Sequence, residues 1–261
     1  MMLNGKTALV TGSTSGIGLG IAERLAAQGA NVILNGFGDV DAPKAAVLAA
    51  GQQHGIKVGY HGADMSKPTE IEALFRYGQA EFGGIDIVVN NAGIQHVANV
   101  EDFPVEKWDA ILAINLTSAF HTMRLAIPGM RKKSWGRVIN IASAHGLVAS
   151  AGKSAYVAAK HGLVGLTKAA ALETAQTGVT VNAICPGWVL TPLVQKQIDA
   201  RSEREGISVA EAQKDLLGEK QPSLQFVTPS QLGDLAVFMC SPGADNVRGV
   251  AWNVDGGWLA Q

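Results

Sequence analysis

Apolar residues along this chain fall into two alternating patterns. Short runs at 7–10, 31–34, 57–60, 85–89, 137–141, 179–184 and 250–254 are rich in Val and Ile and nearly continuous in apolar character, as strands buried on both faces of a parallel sheet are. Between them, apolar positions recur at helical spacing. Ile17, Ile21 and Leu25 make one face, and the same periodicity predicts helices over 71–82, 105–130, 155–174 and 231–240. Strand–helix alternation over the whole length predicts an α/β fold, a doubly wound parallel sheet of seven strands with helices on both faces.

One segment breaks the rhythm. Residues 190–221 are polar, helical in character and most charged at 201–205, and they fall between the sixth and seventh strands. Ligands of such sheets bind beyond the carboxyl ends of the strands, so this insertion is expected to be a lid. No linker, repeat or low-complexity tract divides the rest, and residues 1–261 read as a single domain.

Composition narrows the function classes. With 47% hydrophobic and 16% charged residues in 261, the chain can build a sizeable core and is not a disordered sequence. Its 21 basic and 22 acidic residues give a net charge of −1, which argues against general nucleic-acid binding. No apolar run is expected to reach the roughly 18 residues of a membrane span, and the start has no secretory pattern. Cys185 and Cys240 are too few for a disulfide framework and lack metal-ligand spacing. A reduced, cytoplasmic protein without a metal site is expected, with Cys185 a buried core thiol.

Candidate chemistry begins where the first run enters Thr11-Gly12-Ser13-Thr14-Ser15-Gly16-Ile17-Gly18. Glycines there permit a tight turn, close approach of the backbone to a phosphate, and close helix–strand packing. The following helix aims free N–H groups and its positive dipole end at the anion. Further motifs follow in order: Asn90-Asn91-Ala92-Gly93 after the fourth strand, Asn115 in the next helix, and Ser143 after the fifth strand. Then come Tyr156-Val157-Ala158-Ala159-Lys160, and Pro186-Gly187 with Thr191 after the sixth strand. Together they resemble the short-chain dehydrogenase/reductase family over essentially the whole chain. The resemblance implies a Rossmann-like fold with a nicotinamide cofactor held by Gly12, Thr14, Ser15, Gly16, Ile17, Gly18, Asn91, Ala92, Gly93, Tyr156, Lys160, Pro186, Gly187, Val189 and Thr191. It also implies that Asp64 and Met65 flank the adenine, with Asp64 accepting from its exocyclic amine.

NAD is expected rather than NADP. An acidic residue after the second strand would bond the adenosine ribose, and a basic one would accept a 2′-phosphate. The sequence there is Asn35-Gly36-Phe37-Gly38, so Gly36 departs from the acidic pattern, and no Arg or Lys occurs at 11–18 or 35–38. Phe37 is expected to pack near the adenosine end.

Tyr156 and Lys160 lie four apart and share a helix face. A free phenol near pKa 10 is a poor base at neutral pH. A neighbouring ammonium group favours the phenolate, so Tyr156 is expected to take the substrate hydroxyl proton, with Ser143 holding the substrate oxygen. Lys160 is expected to bond the nicotinamide ribose, and Asn115 to extend a proton path from it through a bound water.

Residues beside these motifs carry the substrate information. Gln95, His145, Lys153 and Gln197 can donate hydrogen bonds, and Lys153 adds positive charge, a set that suits a small carboxylate. Trp188 offers an apolar wall that limits chain length, and Trp258, close to the C-terminus, is expected to add another. Within the family, this set resembles members that interconvert a small 3-hydroxy and 3-oxo carboxylate with NAD. The resemblance also implies a homotetramer joined through the helices at 105–130 and 155–174. Rival readings are a 3-oxoacyl carrier-protein reductase, with Arg131, Lys132 and Lys133 as an acidic-partner patch, and a polyol or sugar dehydrogenase. A rival of another class is a dinucleotide sensor without turnover, which cofactor turnover with a small 3-hydroxy acid would distinguish.

Overall fold

A computed structural model describes residues 2–260. One parallel sheet contains β1 (Thr7–Val10), β2 (Asn31–Leu34), β3 (Val58–Tyr60), β4 (Ile87–Asn90), β5 (Gly136–Ile141), β6 (Val179–Pro186) and β7 (Ala251–Val254). The spatial order is β3-β2-β1-β4-β5-β6-β7. This is the predicted sheet, with the start of β4 and the end of β6 moved by two residues and other edges by at most one. β4 starts at Ile87 rather than 85; Asp86, just before it, still bonds Thr7 and Arg137 through its backbone, while its carboxylate accepts from the Thr7 N–H and from Lys133. β6 continues to Pro186 because it pairs with β7 as far as Pro186↔Val254.

The helices are α1 (Gly16–Ala26), α2 (Asp41–Ala50), α3 (Pro68–Phe82), α4 (Val105–Leu112), α5 (Ser118–Lys132), α6 (Ser154–Glu173), α7 (Pro192–Glu205), α8 (Val209–Gly218) and α9 (Pro229–Cys240). α2 was not expected from periodicity. Most of its apolar residues are alanines, and it buries only Pro43 and Val47, so its face is faint in the sequence.

Strand pleating sorts the core into two layers. Ala8, Val10, Val32, Leu34, Ile87 and Val89 meet Ile21 and Leu25 of α1, Val47 of α2 and Leu232 of α9. Their neighbours Leu9, Ile33, Val88 and Val138 turn to the other face, against Ile71 and Leu74 of α3, Met123 and Met130 of α5, and Ala170 of α6. Each strand therefore needs apolar residues at successive positions.

α4 runs through a π-helical stretch, Ala113–Thr117, directly into α5. The resulting helix, Val105–Lys132, is 28 residues long and holds an 18-residue stretch of mean hydropathy 1.3. By length and composition it could cross a membrane, which corrects the expectation drawn from the sequence. Its apolar majority outweighs polar residues such as Asn115, Ser118 and Thr122, which are buried in the fold. Thr122 donates to Asn90, Asn90 to Asn140, and Asn140 to Thr167. This buried polar chain ties α5, β4, β5 and α6 together where no water would satisfy the amides.

Candidate active site

β1 and β4 are neighbours, yet the chain leaves them towards opposite edges of the sheet. Their carboxyl ends therefore open a crevice. The glycine turn emerges from β1, and Asn91, Ala92 and Gly93 follow β4. Gly18 permits the close seating of α1, since a Cβ there would stand 2.4 Å from the Gly12 carbonyl oxygen and 2.5 Å from Asn91 Nδ2. Asn91 Nδ2 donates to the Thr11 and Gly12 carbonyls at 2.9 Å, and the Asn91 and Ala92 N–H groups donate to Thr11 Oγ1 at 3.0 Å. Buried Asn35 accepts from the Gly12 N–H and donates to the His61 and Ala63 carbonyls. Thr11 and Asn35 are positioning residues that sequence reasoning missed. The available signal was a polar side chain at the end of a buried strand, where it must find protein partners.

α1 starts with Ser15 as an extended N-cap whose side chain makes no capping bond. Its first N–H groups remain open to an anion. A cavity of about 450 Å³ extends from this turn to Trp258. Gly12, Thr14, Ser15, Gly16 and Ile17 line it, as do Phe37, Asp64 and Met65. Asn91, Ala92 and Gly93 line it from β4, and Pro186, Gly187, Val189 and Thr191 from β6. Gly18 does not line it and acts through packing. The Asp64 carboxylate accepts from the Ser66 N–H and hydroxyl. Those bonds, with Lys67 nearby, hold it below the usual carboxylate range.

Asn115 is the second expected site residue outside the cavity lining. The π-helical stretch turns it towards the loop after β4. There its Oδ1 accepts from the Ile94 N–H and its Nδ2 donates to the Ile94 carbonyl, each at 2.9 Å. Its side chain fixes the floor beside Gln95 and is already engaged at both ends, whatever water it also meets.

Ser143, Tyr156 and Lys160 line the cavity together. Ser143 Oγ accepts from the His145 N–H at 3.1 Å and opens the turn Ala144–Gly146. Lys160 Nζ lies 5.6 Å from the Tyr156 ring centre and donates to the Ile141 carbonyl at 2.7 Å. Burial lowers the Lys160 ammonium to about 8. The expected lowering of the phenol by this lysine is not what dominates here. Burial pushes Tyr156 up, and the opposing pull comes from a hydrogen bond with Ser143. The cause is desolvation of both groups in one buried corner.

Gln95, His145, Lys153, Trp188, Gln197 and Trp258 also line the cavity. His145 Nε2 bonds Ser150 Oγ at 2.9 Å, and its ring meets Tyr156 and Trp258 edge-on at 6.0 and 5.1 Å. Burial, with Lys153 beside it, pushes His145 down to about 4. Lys153 Nζ stands 5.3 Å from the Trp188 ring centre, and Trp188 stacks on Trp258 at 6.3 Å. The pocket end therefore combines four donors with a two-indole wall.

Residues 190–221 fold into α7 and α8, with Thr191 capping α7 by accepting from the Val194 N–H. Arg201 pairs with Glu219 to join the two helices. Val194, Ile198, Ala212 and Leu216 give them a small core of their own, onto which Trp188 packs. The candidate carrier patch is largely engaged elsewhere: Arg131 donates to the Glu173 carbonyl and Lys133 pairs with Asp86.

The family model described as short chain dehydrogenase matches residues 6–202. The chain is 74% identical over 260 residues to a D-beta-hydroxybutyrate dehydrogenase of Cupriavidus necator, covering 100% of both. It is 54% identical over 259 residues to a protein of the same name from Rhizobium meliloti, covering 98% of this chain and 99% of the other. Among solved structures, L-sorbose reductase from Gluconobacter frateurii, complexed with NADPH and L-sorbose, superposes with a TM-score of 0.93 at 32% identity. The match covers 100% of this chain and 99% of that one.

Proposed function

The chain belongs to the short-chain dehydrogenase family of oxidoreductases, and from that premise we propose that it reversibly oxidises D-3-hydroxybutyrate to acetoacetate with NAD. The reading rests on one observation above the others. Gln95, His145, Lys153 and Gln197, four donors of which one is cationic, line the same cavity as Ser143 and Tyr156. A small substrate carboxylate satisfies that set. The identity with two D-beta-hydroxybutyrate dehydrogenases supports the same substrate and hand.

The cavity fits a dinucleotide. A glycine turn that a Cβ would fill at Gly18, open N–H groups at the start of α1, and Asp64 and Met65 farther along suit pyrophosphate and adenine. Phe37 is 68% exposed at this end, and no cation occurs at 35–38 to meet a 2′-phosphate, which favours NAD. Bound NAD would supply the hydride acceptor.

The residues then divide the work. Gln95, His145, Lys153 and Gln197 hold the carboxylate, and Trp188 and Trp258 bound the methyl end. Ser143 donates to the 3-oxygen, and Tyr156 takes its proton in oxidation and returns it in reduction. Lys160 contacts the cofactor ribose and, as a cation, opposes the rise that burial imposes on the phenol. Asn115 steadies the floor through Ile94. The lid of α7 and α8 brings Gln197 to the carboxylate and excludes water. By family analogy the protein is a cytoplasmic homotetramer joined through α4–α5 and α6. Phe120 and Leu172, 49% and 78% exposed on those helices, support that packing; sedimentation checks it.

The experiment is NAD reduction followed by absorbance with D- and L-3-hydroxybutyrate, with NADP alongside. Turnover with the D-form and NAD alone is expected. Binding of NAD without turnover of either enantiomer would refute the substrate and favour a carrier-linked or polyol substrate.

A further inference from the structure

Gln221, at the end of the segment that carries α7 and α8, has no exposed surface. It does not line the cavity, yet its side chain joins two strands of chain that do most to shape it. Its Oε1 accepts from the Trp188 N–H at 2.8 Å, and its Nε2 donates to the Gln225 carbonyl. Trp188 marks the entry to the lid and Gln225 lies just beyond its exit, so one amide clasps both feet.

The surroundings leave little freedom. A Cβ on Gly187 would stand 2.5 Å from Gln221 Oε1, and one on Gly256 would stand 2.6 Å from Gln221 Cγ. The feet also touch through their backbones, since the Val227 N–H donates to the Trp188 carbonyl at 2.9 Å. Leu224, between Gln221 and Gln225, has φ 53, a left-handed conformation that an L-residue holds only when its neighbours impose it. The Leu224 N–H donates back to the Gln221 carbonyl at 2.9 Å.

Trp188 itself lacks such an anchor. Its indole Nε1 is buried without a hydrogen-bond partner. The ring is held by stacking on Trp258 and by packing against the lid core, contacts that permit sliding. The directional constraints on where the indole stands are in its main chain, the N–H fixed by Gln221 and the carbonyl by the Val227 N–H.

We propose that Gln221 is a positioning residue that, by clasping the two feet of the lid, fixes the Trp188 wall and so sets the length of acid the pocket accepts. The length assignment rests on the proposed 3-hydroxybutyrate reading; the clasp does not.

Two variants separate the arms of the amide. Gln221→Met keeps the length and loses both bonds. Gln221→Glu keeps an oxygen for the Trp188 N–H and loses the donor to Gln225. The NAD-loaded protein is treated with trypsin, and cleavage within 190–221 is timed. Loss of both bonds is expected to speed cleavage about tenfold in Gln221→Met, the scale of one or two net hydrogen bonds. Kinetics with D-3-hydroxybutyrate and D-3-hydroxypentanoate form the second readout. Gln221→Met is expected to raise KM for the shorter acid and to shift the kcat/KM ratio about tenfold towards the longer one. Its kcat and NAD affinity should stay close to those of the parent. Gln221→Glu should open the lid to trypsin while keeping more of the parental length preference. Wild-type cleavage rates in the folded variants would overturn the clasp. Faster cleavage with unchanged length preference would overturn the assignment of Trp188. If the parent turns over neither acid, the substrate reading fails, and trypsin still judges the clasp. If Gln221→Met does not fold, Gln221→Glu is judged by the same two readouts.

Discussion

Lys160 donates its ammonium to the Ile141 carbonyl at 2.7 Å, which ties α6 to the end of β5 and fixes the helix face that carries Tyr156. Burial lowers this ammonium to about 8 and raises the phenol. At pH 7 the lysine is still mostly charged and the phenol mostly protonated. The base form of Tyr156 grows as pH rises, so kcat for oxidation should climb with pH and kcat for reduction should fall. Lys160→Met removes the cation, moves the oxidation limb to higher pH and lowers turnover about a hundredfold or more, as loss of general acid–base help does. A pH–rate profile in both directions checks this, and an unshifted limb would contradict it.

Gly18 allows α1 to lie against the glycine turn. In Gly18→Ala the added methyl would meet the Gly12 carbonyl and Asn91 Nδ2 at 2.4 and 2.5 Å. Both partners are backbone or already bonded, so the helix must shift, at a cost of about 1–3 kcal/mol. A lower Tm together with weaker NAD binding is expected in thermal melts and titration. Unchanged cofactor affinity would mean that the turn tolerates the shift.

The sheet and the line of the cavity were legible because each depends on local pattern. Val and Ile runs mark strands buried on both faces, and Ser143, Tyr156 and Lys160 stand at fixed offsets from strand ends and along one helix. Asn35, Thr11 and Gln221 were not legible, because their meaning lies in partners 22 to 81 residues away or in the far foot of a lid. Asn115 stands out in the sequence, but its bonds to Ile94 depend on a π-helical stretch that periodicity does not reveal. The direction of the Tyr156 shift was missed for a related reason. A sequence shows that Lys160 shares its face, but not that burial outweighs that charge.

The proposed preference for NAD rests on the corner after β2. Gly36 has φ 148, and a Cβ there would stand 2.7 Å from Thr14 Oγ1, so an acidic residue cannot simply be restored at that position. Phe37, mostly exposed beside it, is open to change. Phe37→Arg should supply a cation for a 2′-phosphate and raise kcat/KM for NADP about tenfold or more, the value of a charge-assisted hydrogen bond. Steady-state rates with both cofactors measure it. An equal NADP preference before and after substitution would remove this corner from cofactor selection.

His145 sits in the proposed acid-binding end with its pKa pushed down to about 4 by burial and by neighbouring Lys153. It is therefore neutral above that pH and should bind substrate as a neutral donor throughout the physiological range. Lys153, held below the usual lysine range by burial, supplies the charge. KM for D-3-hydroxybutyrate should accordingly stay flat across the region near pH 6.5, without the break of an ordinary histidine. Lys153→Ala should raise KM about ten- to a hundredfold, the worth of one charge-assisted bond, with a smaller effect on kcat. His145→Gln keeps a donor and should leave the flat profile unchanged. A wild-type break near 6.5 that disappears in His145→Gln would show that the imidazolium binds the carboxylate, and the division of charge between these two residues would be reversed.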